Sequence, residues 1–218
     1  FTDALKAKLG ADFQEDENLG RLKVITNLGL VDAAACDSIG ETGQPISFPD
    51  EDPIAGCTYE NLYSFGARSF TIWDTETFRP VYDSGSDFEV ITARQLGDNF
   101  NASNDDNSGD DRSDDKGPEP EAIEIAALNG NTYAFVGLER VGGVMVYNIT
   151  NPQAASFVQY INPRDFSVDA EVNVDEVGDL GPESIVFIPA TDSPSGEPLL
   201  LVSNEVSGTL AVYSVSEL

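Results

Sequence analysis

Four glutamates carry the chemistry this sequence offers most plainly. Glu121 and Glu183 each follow a proline, in Pro120-Glu121-Ala122-Ile123 and Pro182-Glu183-Ser184-Ile185. Glu139 and Glu205 each stand eight positions before a tyrosine, Tyr147 and Tyr213. If each proline opens a strand and the second glutamate ends its antiparallel neighbour, the start of one strand lies beside the end of the next. The carboxylates then gather at one rim. Oxygen donors in such a ring suit Ca²⁺, Mg²⁺ or another hard divalent cation. A cation or a proton must offset their mutual repulsion. The alternative is turn and capping duty, or pairing with Arg140 and Arg68.

A second candidate is the acidic run Asp105-Asp106-Asn107-Ser108-Gly109-Asp110-Asp111. Asp105 and Asp110 are its candidate cation ligands. It departs from the EF-hand pattern, with Asp110 where the sixth-position glycine belongs and Lys116 where the twelfth-position glutamate belongs. A solvated loop is the competing reading. Arg112, Lys116 and Arg140 are candidate ligand-binding cations, and Ser113 or Ser69 a hydroxyl for phosphate chemistry. Salt bridging among many carboxylates would employ the same arginines. The chain has no histidine, so Ser-His-Asp and Cys-His machinery are excluded. Gly-x-Ser-x-Gly and P-loop motifs are absent from the sequence. Glu121 with Glu139 would make a glycosidase-like pair, though so acidic a chain offers such pairs by chance.

The elements that must position these residues form an internal repeat. Ala134-Phe135-Val136-Gly137-Leu138-Glu139-Arg140 corresponds to Leu200-Leu201-Val202-Ser203-Asn204-Glu205-Val206, and Gly143-Val144-Met145-Val146-Tyr147 to Thr209-Leu210-Ala211-Val212-Tyr213. Short strands repeating at this period signal a radial or stacked β architecture. Residues 122–128, 132–138, 143–149 and 156–161 read as four antiparallel strands, the content of one propeller blade. Residues 184–188, 199–204 and 209–215 read as a blade one strand short. Residues 62–65, 69–74 and 78–83 read as a three-strand meander, with Trp73 in the place of Tyr147 and Tyr213. The three tyrosine and tryptophan positions read as blade-to-blade core. A short helix is expected over 87–96, capped by Ser86 or Asp87. The loop at 97–116 is low in apolar residues and, if ordered, needs its charge neutralised.

The N-terminal part is less regular. Residues 1–20 read as a helical lead-in, with an amphipathic helix at 2–9, and 21–26 as a strand. Residues 32–60 form a long loop holding Cys36 and Cys57. A disulfide between them would close a loop of about 20 residues and contribute on the order of 3 kcal/mol, and it implies an oxidising compartment. Two unpaired thiols are the alternative. The sequence carries 39 Asp and Glu against 11 Lys and Arg, a net charge of −28. That balance argues against nucleic acid and anionic membranes, and it favours solubility and cation binding. No apolar run approaches the roughly 20 residues of a membrane span. Asn101-Ala102-Ser103 and Asn148-Ile149-Thr150 fit the glycosylation pattern.

Several stretches are similar to one family. Residues 111–121 (Asp-Arg-Ser-Asp-Asp-Lys-Gly-Pro-Glu-Pro-Glu) and 133–147 resemble the secreted choice-of-anchor I β-propeller family, as do residues 18–24, 63–70 and 203–209. The resemblance implies an all-β fold of four-stranded antiparallel blades, a partial propeller over 21–218 with blades near 62–96, 120–165 and 182–218. It implies the C-terminal part of a larger propeller of about seven blades, completed by the remaining blades or a second chain. It also implies an extracellular or periplasmic protein. Some members carry an alkaline phosphatase label, so a metal-dependent phosphoesterase stands as the alternative to a binding module. The Cys-containing loop at 32–60 departs from the family pattern.

Overall fold

The computed structural model describes residues 24–25, 28–31, 58–66 and 68–216. The helix expected at 2–9, both cysteines and most of the loop at 32–60 lie outside the described residues. The chain divides into two units, Phe1–Gly66 and Ala67–Leu218. Within the first, Val24 pairs antiparallel with Ser64, and Leu30 with Tyr59. The Ile25 N–H donates to the Tyr63 carbonyl at 2.7 Å. Ser64, in the segment expected to open the meander, thus takes Val24 as its partner.

The second unit is built almost wholly of antiparallel β-structure. Its elements are β1 (Thr71–Asp74), β2 (Arg79–Asp83), α1 (Asp87–Leu96), β3 (Pro120–Leu128), β4 (Asn131–Leu138), β5 (Val144–Asn148), β6 (Ser156–Ile161), β7 (Pro182–Ile188), β8 (Leu199–Asn204) and β9 (Thr209–Ser214). They form three sheets, β1-β2, β3-β4-β5-β6 and β7-β8-β9. The helix lies at its expected place. It sinks Phe88 and Thr92 into the core on one face, and Asp87, Glu89 and Arg94 suit the two ends of its dipole. Ser86 is its N-cap but makes no side-chain capping bond.

The inner strands of the central sheet, β4 and β5, are buried on both faces, and the period-two alternation of a strand decides which residue faces which neighbour. Tyr133, Phe135, Val144 and Val146 pack on one side with Ile185, Leu200 and Val202 of the β7-β8-β9 sheet. Val136, Leu138, Met145 and Tyr147 pack on the other with Phe70 and Phe88. Gly137 faces Pro182 and Ile185 of β7. A Cβ there would lie 3.1 Å from the Ala122 Cβ and 3.2 Å from that of Pro182.

The repeat is visible in the registers. Val136 pairs with Met145 and Gly137 with Val144, while Val202 pairs with Ala211 and Ser203 with Leu210. A bulge opens each unit at the same place: Glu121 is the extra residue between the Pro120–Leu138 and Ala122–Gly137 pairs, and Glu183 is its counterpart between Pro182–Asn204 and Ser184–Ser203. Tyr147 is fully buried, and Tyr213 packs against the core. Trp73 does not join them, being 57% exposed. Phe70 and Ile72 face the core, so the alternation of a strand puts Trp73 on the other face. Phe70 provides the aromatic contact instead, its ring centre 5.0 Å from that of Tyr147.

Candidate functional site

The bulge at the start of β3 and the end of β4 bring three carboxylates together. Oxygens of Glu119, Glu121 and Glu139 lie within 4.8 Å of one another. Two backbone bonds extend the β3–β4 pairing backwards to place them: the Glu139 N–H donates to the Glu119 carbonyl at 2.8 Å, and the Arg140 N–H to that of Pro118 at 3.3 Å. Glu119 occupies the left-handed region, φ 52°, where a residue with a Cβ is strained. That turn buries its side chain, whereas Glu121 remains exposed.

Three cations converge on Glu119. Arg112 Nη2 lies 2.8 Å from its Oε1, Arg140 Nε lies 3.0 Å from the same oxygen, and Lys116 Nζ pairs with Oε2. Burial works against the Glu119 charge. The hydrogen bonds from Lys116 and Arg112 and the field of Arg140 outweigh it and hold the carboxyl below its usual range. Glu139 is served less well. Burial, then a hydrogen bond with Glu121, pushes it up to about 7, against an opposing contribution from Arg140, whose Nη2 is 3.3 Å away. The site therefore contains a satisfied carboxylate beside an unsatisfied pair.

A sequence profile of the choice-of-anchor I domain matches residues 3–152. The chain belongs to the choice-of-anchor I family. It is similar to Gigasin-3a of Magallana gigas, 31% identical over 167 residues, 72% of this chain and 59% of that protein. The chain thus spans less than two thirds of the length of that relative. No solved structure matches it.

Of these two repeats, the first holds the three-acid cluster. Glu183 and Glu205 stand at the homologous places, both exposed, and no three-acid group among the described residues includes them. The Glu205 N–H donates to the Gly181 carbonyl, as Glu139 does to Glu119, so Gly181 occupies the place of Glu119 and Val206 that of Arg140. Gly181, at φ 72°, lies so close to Val206 that a Cβ would meet Val206 Cγ2 at 2.8 Å.

Asp105 and Asp110 lie elsewhere in the acidic loop. Asp105 accepts a hydrogen bond from Ser103 and lines an open cleft of about 300 Å³ with Asp106, Asp169 and Glu171. Asp110 accepts from the Ser113 hydroxyl. The loop is ordered by arginines. Arg68 Nη2 donates to the Ser113 and Asp115 carbonyls at 2.6 and 3.0 Å. Arg164 donates to the Ser103 carbonyl at 2.6 Å, the Asp106 carbonyl at 3.0 Å and Asn107 Oδ1 at 2.8 Å. Asn101 is fully buried and donates to Glu89 and Ser113, so its glycosylation pattern is inaccessible in the folded chain.

Two functional residues lay outside the sequence reading. Glu119 directly precedes the Pro120-Glu121 motif, and its signal was Gly117-Pro118 before it, a turn that redirects the chain. Arg164 lies in the segment between the repeats, where no periodicity marks it.

Proposed function

We propose that the chain is a binding module of an extracellular β-propeller, holding a divalent cation between Glu121 and Glu139. The observation that carries this is Glu139: a buried carboxyl set against a second carboxylate, relieved in part by Arg140. Ca²⁺ fits these hard oxygen donors and would supply the charge that offsets their repulsion. Glu119 would stay with Arg112, Lys116 and Arg140 and hold the rim in shape. Family membership supports the extracellular setting. The propeller reading is supported by the four-stranded central sheet and by an apolar strip on the β7-β8-β9 sheet. Leu210 and Val212 are 63% and 57% exposed there, at positions homologous to the covered Val144 and Val146. Further sheets of the same propeller, or a second chain, would cover this strip.

A phosphoesterase needs a positive clamp free to meet phosphate. Arg112, Lys116 and Arg140 are each paired with Glu119, which favours the binding reading. Calorimetric titration of the chain with Ca²⁺ at pH 7.5 tests it. Affinity in the range of about 10⁻⁴–10⁻³ M, as in extracellular modules, is expected, and it is lost in Glu121→Gln and Glu139→Gln. Absence of a saturable heat with Ca²⁺, Mg²⁺ and Mn²⁺ alike overturns it.

A further inference from the structure

The two glycosylation patterns of the sequence meet the fold in opposite ways. Asn101 is 0% exposed. Its Nδ2, the atom that would carry a sugar, donates to Glu89 and Ser113. Asn148 ends β5 and is half-buried, and residues 150–154 beyond it are all exposed. Asn148 Oδ1 accepts the Thr150 N–H at 3.0 Å. That bond engages the amide oxygen and spares the nitrogen.

The β1-β2 sheet holds a natural control for this turn. Asp74 directly follows Trp73, as Asn148 directly follows Tyr147. Asp74 Oδ1 accepts the Glu76 N–H at 3.0 Å, the same bond to the residue two places on. A carboxylate thus makes this turn as well as an amide does. What the central sheet adds is the amide nitrogen, a hydroxyl residue two places later and a residue other than proline, Ile149, between them. These are the three requirements of an N-linked acceptor. Thr150 also has a structural duty, since its Oγ1 accepts the Thr132 N–H at 2.9 Å.

We infer that Asn148 is the acceptor of an N-linked glycan. The donor class is an oligosaccharide carried on a lipid pyrophosphate. Asn148 Nδ2 bonds to C1 of the first sugar and loses one proton. The C1–O bond breaks, and its electron pair leaves with the pyrophosphate. The product stands beside an exposed turn, whereas a sugar on Asn101 would break the bonds to Glu89 and Ser113. The inference rests on the extracellular setting proposed above. A five-residue strand, about 14 Å long, separates Asn148 from the end of the sheet that holds Glu121 and Glu139. The glycan therefore shields one rim and leaves the acid rim open.

The test secretes the full chain from an animal cell line behind a leader peptide. The leader imposes the compartment, so a missing glycan counts against Asn148 and not against the extracellular setting. The two patterns fall on separate tryptic peptides, 95–112 and 141–164. Mass spectrometry before and after peptide N-glycosidase, which converts a linked Asn to Asp, should find one glycan, on 141–164. Asn148→Asp keeps the turn bond, as Asp74 does, and should lose the glycan while remaining folded. Thr150→Ser keeps both the hydroxyl and the pattern and should retain it. The glycosylated chain should melt no lower than Asn148→Asp. A chain secreted without a glycan, a glycan on 95–112, or a glycosylated chain that melts below Asn148→Asp overturns the inference.

Discussion

Carboxylate oxygens of Glu121 and Glu139 lie within 4.8 Å of each other across the bulge that opens β3. Glu139, at about 7 in the folded chain against 4.5 for the free group, keeps its proton longer when folded. The stability tied to that proton is complete below about pH 4.5 and is lost as pH rises through about 7. Glu139→Gln keeps the hydrogen-bonding shape and removes the titration. In EDTA, the urea-derived stability of the wild-type chain relative to Glu139→Gln should fall between pH 4.5 and 8. A difference flat across that range would mean that burial does not raise the Glu139 carboxyl.

Glu119 carries three cations, and its removal leaves them facing one another in a partly buried site. Glu119→Gln should cost about 3 kcal/mol, since breaking a buried ion pair from one side strands the remaining charges. Lys116→Met, which removes the most exposed of the three, should cost under about 1 kcal/mol, as surface pairs do. Urea denaturation of both variants checks the ranking. Equal losses would place the weight of the cluster on Lys116.

The strands and helix of the second unit were legible because their signals are local. The apolar run Tyr133–Leu138, the turn at Asn129-Gly130 and the cap position at Ser86 or Asp87 each act within a few residues. The meeting of Glu121 with Glu139 was legible from the repeat, since equivalent ends of paired strands must adjoin. What escaped depends on distant partners or on local geometry. Trp73 lies, by alternation, on the face opposite Phe70 and Ile72, and its residue type does not announce which face is covered. Glu119 is buried by a left-handed backbone that its residue type does not announce. Arg164 binds carbonyls 58 and 61 positions earlier in the chain, and no spacing encodes such a contact.

Gly137 sets the distance between the central sheet and β7. Gly137→Ala would press a methyl group to 3.1 Å from Ala122 Cβ and 3.2 Å from Pro182 Cβ. Ala122 is its cross-strand partner in the same sheet and Pro182 a rigid ring of β7, so the backbone of β3 or β7 must give way. Overpacking of this kind costs about 1–3 kcal/mol, read as a lowered Tm. An unchanged Tm would mean that β7 moves freely against β3.

Arg164 decides whether the loop at 103–107 is ordered. Its guanidinium is buried, stacks 4.5 Å above the Phe166 ring centre and fans its bonds across three acceptors in that loop. Burial pulls its pKa down to about 10, so it remains charged at neutral pH. The nearby Asp105 and Asp106 favour that charge, and the loop carbonyls receive it. Arg164→Lys keeps the charge but loses the planar fork and the stacking. The variant should lose about 2 kcal/mol, in the range for broken buried networks. Amide hydrogen exchange should quicken at residues 104–108 and stay unchanged in the 87–96 helix. Arg68 holds the same loop from its other end, at Ser113 and Asp115. If exchange at 104–108 in Arg164→Lys equals that of the wild-type chain, the order of the loop comes from Arg68 alone.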